Sequence, residues 1–144
     1  MKLYILNGPN LNMLGIREPE HYGTMTYEGL VDMISEHCEA LGIECVCYQT
    51  NHEGELVDMI QEAYFEEADG IVINPGAYTH TSIAILDAAK SVRLPLVEVH
   101  ISKVDEREDF RRVSYIREAA ALTISGHGAV GYIEAIDYLK SIIG

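Results

Sequence analysis

Positive charge is scarce in this sequence. Ten Lys and Arg stand against 23 Asp and Glu, a formal net charge of −13. Such a chain repels phosphate backbones and anionic lipid, so nucleic acid and membrane surfaces are set aside as partners. Cysteine is scarce as well: Cys38, Cys45 and Cys47 form an odd set without C-x-x-C spacing, which argues against a disulfide framework and fits a reducing compartment. Long apolar runs are missing. Residues 3–6, after Met1 and Lys2, are far too few for a signal-peptide core, and nothing later is long enough to span a bilayer, so a cytoplasmic protein is expected. No low-complexity or linker-like stretch interrupts the 144 residues, a length that suits one domain over 1–144. There is no G-x-x-x-x-G-K-[ST] phosphate loop, no G-x-S-x-G nucleophile elbow and no paired spacing of the zinc kind, which removes support for ATP hydrolysis, esterase chemistry and a metal centre.

What is present is an ordinary globular composition, 48% hydrophobic, with a clear alternation of elements. Short runs rich in β-branched and aliphatic residues at 3–6, 44–48, 70–73, 94–101 and 122–125 read as five strands. Between them lie helical stripes. Leu30, Val31, Ile34, Cys38 and Leu41 make one, closed by Gly42 in the role of a left-handed terminator; Leu56, Ile60, Ala63 and Tyr64 make a second. Further helices are predicted over about 81–92, about 108–120 and 130–143. Strands alternating with helices imply parallel pairing through right-handed crossovers. The expected fold is an α/β three-layer sandwich of the flavodoxin-like kind, with sheet order 2-1-3-4-5 and a ligand crevice beyond the carboxyl ends of strands 1 and 3.

Polar residues gather where that rule wants them. Asn7-Gly8-Pro9-Asn10 follows strand 1, Asn74 and the residues to His80 follow strand 3, and His100-Ile101-Ser102 end strand 4. Residues 11–25 form the longest non-periodic connection, the length of a functional lid loop, and carry Arg17, His21 and Tyr22. His100 suits a general acid or base near neutral pH. Glu98, two residues earlier, points to the same side of the strand and can orient the ring; a purely structural histidine is the alternative. His80 is either a ligand contact or a helix cap. Asn7, Asn10 and Asn74 either serve turn geometry or bind hydroxyls and a carbonyl oxygen. Arg17 beside Tyr22 would stabilise a phenolate and lower the phenol pKa from about 10. Five of the ten basic residues fall between Lys103 and Arg117, a pattern that fits an anion site and a solvated helix face equally. The glycines at 126, 128 and 131 match G-x-G-x-x-G, but no later strand supplies the acidic residue of a dinucleotide site, so a close turn and helix packing are the better reading.

In order and spacing these residues resemble the type II 3-dehydroquinate dehydratases. The segments that carry the resemblance are ILNGPNLNMLGIREPEHYG over 5–23, QTNHEGEL over 49–56, INPGAYTHTS over 73–82, EVHIS over 98–102, Phe110-Arg111, Ser114-Tyr115, and the glycines of 126–131 followed by Tyr132. They extend over nearly the whole chain. The resemblance implies a lyase without cofactor or metal that converts 3-dehydroquinate to 3-dehydroshikimate and water. It casts Tyr22 as the base, Arg17 as the group that lowers its pKa, Asn10 as a holder of the water that stabilises the enolate oxygen, and His100 as the acid that protonates the departing hydroxyl. Asn74, His80 and Arg111 would bind the substrate, and the Ile101 and Ser102 amides with the Ser102 hydroxyl would take its carboxylate. Glu98 would support His100.

The same resemblance implies a dodecamer of four trimers, with Asp87 reaching a neighbouring subunit's site, and a setting in either aromatic amino-acid biosynthesis by the shikimate pathway or quinate breakdown. Lys103, Asp105 and Glu106 depart from the family pattern, which puts the local loop and its subunit contacts in doubt. The rival from another class is a non-catalytic ligand-binding or signalling module on the same fold. A receiver-type module would need a phosphoacceptor aspartate ending strand 1, where this chain has Asn7-Gly8-Pro9-Asn10.

Overall fold

The computed structural model describes residues 1–16 and 24–144. Five strands, β1 (Lys2–Asn7), β2 (Glu44–Gln49), β3 (Gly70–Asn74), β4 (Leu96–His100) and β5 (Leu122–Ser125), form one parallel sheet in the order β2-β1-β3-β4-β5. The expected flavodoxin-like topology is the observed one. Period-two alternation divides the strand side chains between two cores. Leu3, Ile5, Val72, Val97, Val99 and Ile124 face helices α1 (Tyr27–Ala40) and α4 (Val130–Ile143) through Leu30, Ile34, Tyr132 and Ile136. Tyr4, Leu6, Ile71 and Ile73 face α2 (Glu53–Phe65) and α3 (Ile83–Val92) through Leu56, Ile60, Ile85 and Ala89. Helices on both faces are what allow strands this apolar, since a parallel sheet is covered on both sides.

Local signals set the helix ends. Thr26 Oγ1 accepts from the Gly29 N–H at the start of α1, and Ser82 Oγ accepts from the Ile85 N–H at the start of α3, each at 3.0 Å. Ser82, not His80, is therefore the cap of α3. Gly42 closes α1 at φ 70, the left-handed conformation that glycine adopts without a Cβ clash.

Three expectations need correction. The stretch 108–120 is no helix; it holds short 3-10 turns at Asp109–Arg111 and Ile116–Ala119, after another at Val104–Glu106. Its charges mimic a helix face, but Phe110 and Val113 are exposed, so no apolar stripe exists to bury. Its backbone is engaged elsewhere, with the Tyr115 N–H donating to the Thr79 carbonyl at 3.1 Å and the Val113 carbonyl 2.7 Å from His80 Nδ1. Tyr64 lies outside the buried stripe of α2, in edge contact with Phe65 on the surface. The fourth strand is shorter than 94–101, beginning after Pro95.

Gly8 and Gly76 let the turns after β1 and β3 cross. A Cβ on Gly8 would lie 2.5 Å from the Pro75 carbonyl oxygen, and one on Gly76, at φ +61, would lie 2.9 Å from the Pro9 carbonyl oxygen. Gly54, at the start of α2, has nothing within 4 Å of such a Cβ. Gly8→Ala is expected to lower unfolding free energy by about 1–3 kcal/mol through overpacking against backbone, whereas Gly54→Ala should be neutral or add up to ~1 kcal/mol. Urea denaturation checks the pair, and equal effects would contradict the interlock.

Candidate active site

Parallel pairing brings the polar strand ends into one row. Asn7 is the register partner of both Gln49 and Asn74, and His100 that of Ser125. Beyond β1, β3 and β4 lies a cavity lined by Asn10, Asn74, His80, His100, Ser102 and Arg111, among others. Seven of the residues named from the sequence, Ile101 among them, thus meet in one place.

Asn7 does not join them. It is fully buried, and its Oδ1 accepts from the Tyr132 hydroxyl at 2.6 Å, so of its two readings the structural one holds. Tyr132 in turn accepts from Asn74 Nδ2 at 3.0 Å, while Asn74 Oδ1 accepts from the Gly76 N–H at 3.1 Å. Burial pushes the Tyr132 phenol well above its ordinary value, so it stays a neutral donor and acceptor, locking the Asn74 amide in one orientation. Asn10 sits at φ 70, a conformation asparagine tolerates better than most residues. Its N–H donates to Asn51 Oδ1 at 3.0 Å, and Gln49 Nε2 donates to Asn51 Oδ1 at 3.1 Å and to the Gly8 carbonyl at 3.2 Å. Gln49 and Asn51 therefore brace the Asn10 turn. Their motif was visible in the sequence, but their task was not.

At the end of β4 the imidazole of His100, 4% exposed, places Nε2 2.5 Å from Glu98 Oε2. The carboxyl of Glu98 is completely buried, and it also accepts from Ser114 Oγ at 2.8 Å, Thr123 Oγ1 at 3.1 Å and Arg117 Nε at 3.3 Å. Burial pushes this carboxyl up, but the hydrogen bond and charge of His100, the Ser114 hydroxyl and Arg117 outweigh it and leave the pKa at about 2. Glu98 is therefore an anion at neutral pH, as a buried carboxylate with four donors can be. Sequence reasoning found Glu98 but gave no role at it to Ser114, known only from the resemblance, or to Arg117, known only from the basic cluster, and it missed Thr123. Thr123 stands opposite Glu98 in the β4–β5 register, a pairing invisible before the sheet order was known.

The carbonyls after β4 are all bound. Gly126 N–H donates to the His100 carbonyl at 3.1 Å, Gly128 N–H to that of Ile101 at 3.0 Å, and Ser125 Oγ to that of Ser102 at 3.2 Å. This is the work of the glycine-rich motif: Gly126 and Gly128 take φ 82 and φ 63 in the turn that anchors the 100–102 segment, and Gly131 packs close against Ile124. The Lys103 stem lies across Gly126, where a Cβ would meet it.

His80 Nδ1 is 2.7 Å from the Val113 carbonyl, and burial holds its pKa below the ordinary histidine value, assisted by the nearby His100 and Arg111. Arg111 donates from Nε to Glu108 Oε2 at 2.6 Å. Arg107 also lines the cavity. Asp87 is on the exposed side of α3 and does not line this chain's cavity. Arg17 and Tyr22, and with them residues 17–23 of the expected lid over 11–25, fall outside the described residues. Among the described residues, no three of His, Cys, Asp and Glu are placed to hold a metal ion, and no helix is long and apolar enough to cross a membrane.

The profile of the family described as Dehydroquinase class II matches residues 1–140. A 3-dehydroquinate dehydratase of Clostridium perfringens is 52% identical over 143 residues, 99% of each chain. Among solved structures, the type II dehydroquinase of Butyrivibrio crossotus superposes with a TM-score of 0.96 at 57% identity, covering 97% of both chains. That of Propionibacterium acnes superposes with a TM-score of 0.93 at 38% identity, covering 97% of this chain and 96% of the other. With its sheet order, its strand-end cavity and this likeness over the full length, the chain belongs to the class II dehydroquinases.

Proposed function

We propose that the chain is a 3-dehydroquinate dehydratase, converting 3-dehydroquinate to 3-dehydroshikimate and water. The observation that carries the reading is His100, held at the end of β4 by a buried carboxylate and facing a cavity with Asn10, Asn74, His80 and Arg111. Elimination of water changes no net oxidation state, so acid–base groups suffice. Tyr22, its phenol made acidic by Arg17, removes the proton from the carbon next to the ketone. The resulting enolate oxygen is stabilised through a water held at Asn10. Loss of the hydroxyl then regenerates the ketone in conjugation with the new double bond, as His100 donates the proton that makes the leaving group water. Since Nε2 of His100 is taken by Glu98, Nδ1 is the nitrogen for that transfer.

Around the ring, His80 and Arg111 take the hydroxyls and Asn74 assists at the leaving-group end. The carbonyls of residues 100–102 are bound away to the 125–128 turn, which supports the Ile101 and Ser102 amides and the Ser102 hydroxyl as the carboxylate site. Local donors of this kind bind an anion even in a protein of net charge −13. Asp87, exposed on α3, is available to a neighbour's cavity in a dodecamer of four trimers, and the enzyme works in the cytoplasm.

Purified protein mixed with 3-dehydroquinate should generate the ultraviolet absorbance of a conjugated enone carboxylate; a folded sample that binds the substrate without turnover would favour the binding-module reading instead. Tyr22→Phe should bind product normally while turnover falls at least about a hundredfold, the usual scale for a general base, and near-normal turnover would remove Tyr22 from that role. Arg17→Ala should cut activity at neutral pH and move the alkaline optimum upward, since the phenol pKa returns toward about 10; a pH–rate profile shows which way it moves. Light scattering at assay concentration should give twelve chains, and a monomer would sink the assembly.

A further inference from the structure

Glu98 joins two basic side chains through different oxygens. Oε2 faces His100 Nε2 at 2.5 Å, and Oε1 faces Arg117 Nε at 3.3 Å, with Ser114 on the first oxygen and Thr123 on the second. Arg117 is the permanently charged one of the two. The Arg117 side chain is 40% exposed and lies at an open depression along the edge strand β5, lined also by Asp105, Thr123, Ser125, His127 and Glu134. It thus carries a permanent charge from the surface to a carboxylate that has no solvent contact of its own.

We propose that Arg117 is a positioning residue for His100: by sharing the Glu98 carboxylate it fixes the side chain that orients the imidazole and sets how readily that imidazole releases its proton. The proposal rests on His100 being the proton donor of the dehydration. Two effects of the guanidinium act in one direction. It draws carboxylate charge away from the imidazolium, and it repels the imidazolium directly. Without Arg117 the buried carboxylate would have only His100 as a basic partner, and its whole charge would bear on the ring. The other charged groups around His100 stay the same in every Arg117 variant. Among the described residues these are His80 from the turn after β3, and Arg107 and Arg111 from the turns between β4 and β5. Asp105, His127 and Glu134 share the depression with Arg117, His127 Nδ1 lying 3.0 Å from Glu134 Oε2.

The test is a direct titration. In protein carrying 15N-labelled histidine, the ring signals of His100 are assigned by their loss in His100→Gln, and their midpoint is followed by NMR in the wild type and in Arg117→Met. A shift upward of about half a unit to one unit is expected, below the full effect of a close charge because Arg117 is partly solvated. The pH dependence of kcat should move the same way, with little change in KM. Arg117→Lys, which restores charge without the planar fork, should fall between the two. If Arg117→Met is poorly folded, Arg117→Gln serves the same readout. An unmoved or lowered His100 midpoint in a folded variant overturns the proposal even if activity falls, because a merely structural loss would leave the titration in place. A raised midpoint with an unchanged kcat profile upholds the coupling and removes His100 from the role of proton donor.

Discussion

A parallel sheet ends all its strands on the same edge, and everything chemical in this protein follows from that constraint. Each strand must return by a helix laid on one face or the other, so both faces are buried and mostly apolar, the cluster around Glu98 excepted. What is left is the carboxyl edge, where the turns after β1, β3 and β4 converge. The crossing of Gly8 with Pro75 and of Gly76 with Pro9 shows how closely those turns are drawn together. Asn10 and Asn74 face one cavity because the backbones that carry them touch.

Within that frame the costly element is the buried carboxylate of Glu98. Desolvation alone would favour its protonated form, and a neutral Glu98 would have no charge with which to orient an imidazolium. Four donors from four places, at His100, Ser114, Arg117 and Thr123, keep it ionised. The irregular stretch between β4 and β5 makes this possible. A continuous helix there would commit its backbone to itself, whereas the short turns bring Ser114 and Arg117 to Glu98 while Val113 and Tyr115 bond to the segment ending in His80.

The same economy holds for the glycine-rich turn after β5. Read as a motif it matches a phosphate-binding fingerprint, yet its amides bond to the carbonyls of His100 and Ile101. Its effect is to orient a neighbouring loop, so its chemistry is expressed at residues distant in sequence.

Period two and period 3.6 in the apolar residues are local properties, and from them the sequence by itself determined five strands, four of the helices, the flavodoxin-like order and the row of strand ends where Asn10, Asn74, His80 and His100 belong. Even the Glu98–His100 pairing was legible, because residues two apart on a strand share a face. Only tertiary structure decided which charged segment would be helical, since that depends on whether Phe110 and Val113 find a core to enter, and they do not. It alone separated Asn7, sunk against Tyr132, from Asn10 and Asn74 at the cavity. It alone surrounded Glu98, because Ser114, Arg117 and Thr123 come from separate stretches whose approach is fixed by sheet register and loop packing. The stability of a buried charge is a sum over neighbours in space, and a linear sequence records neighbours only along the chain.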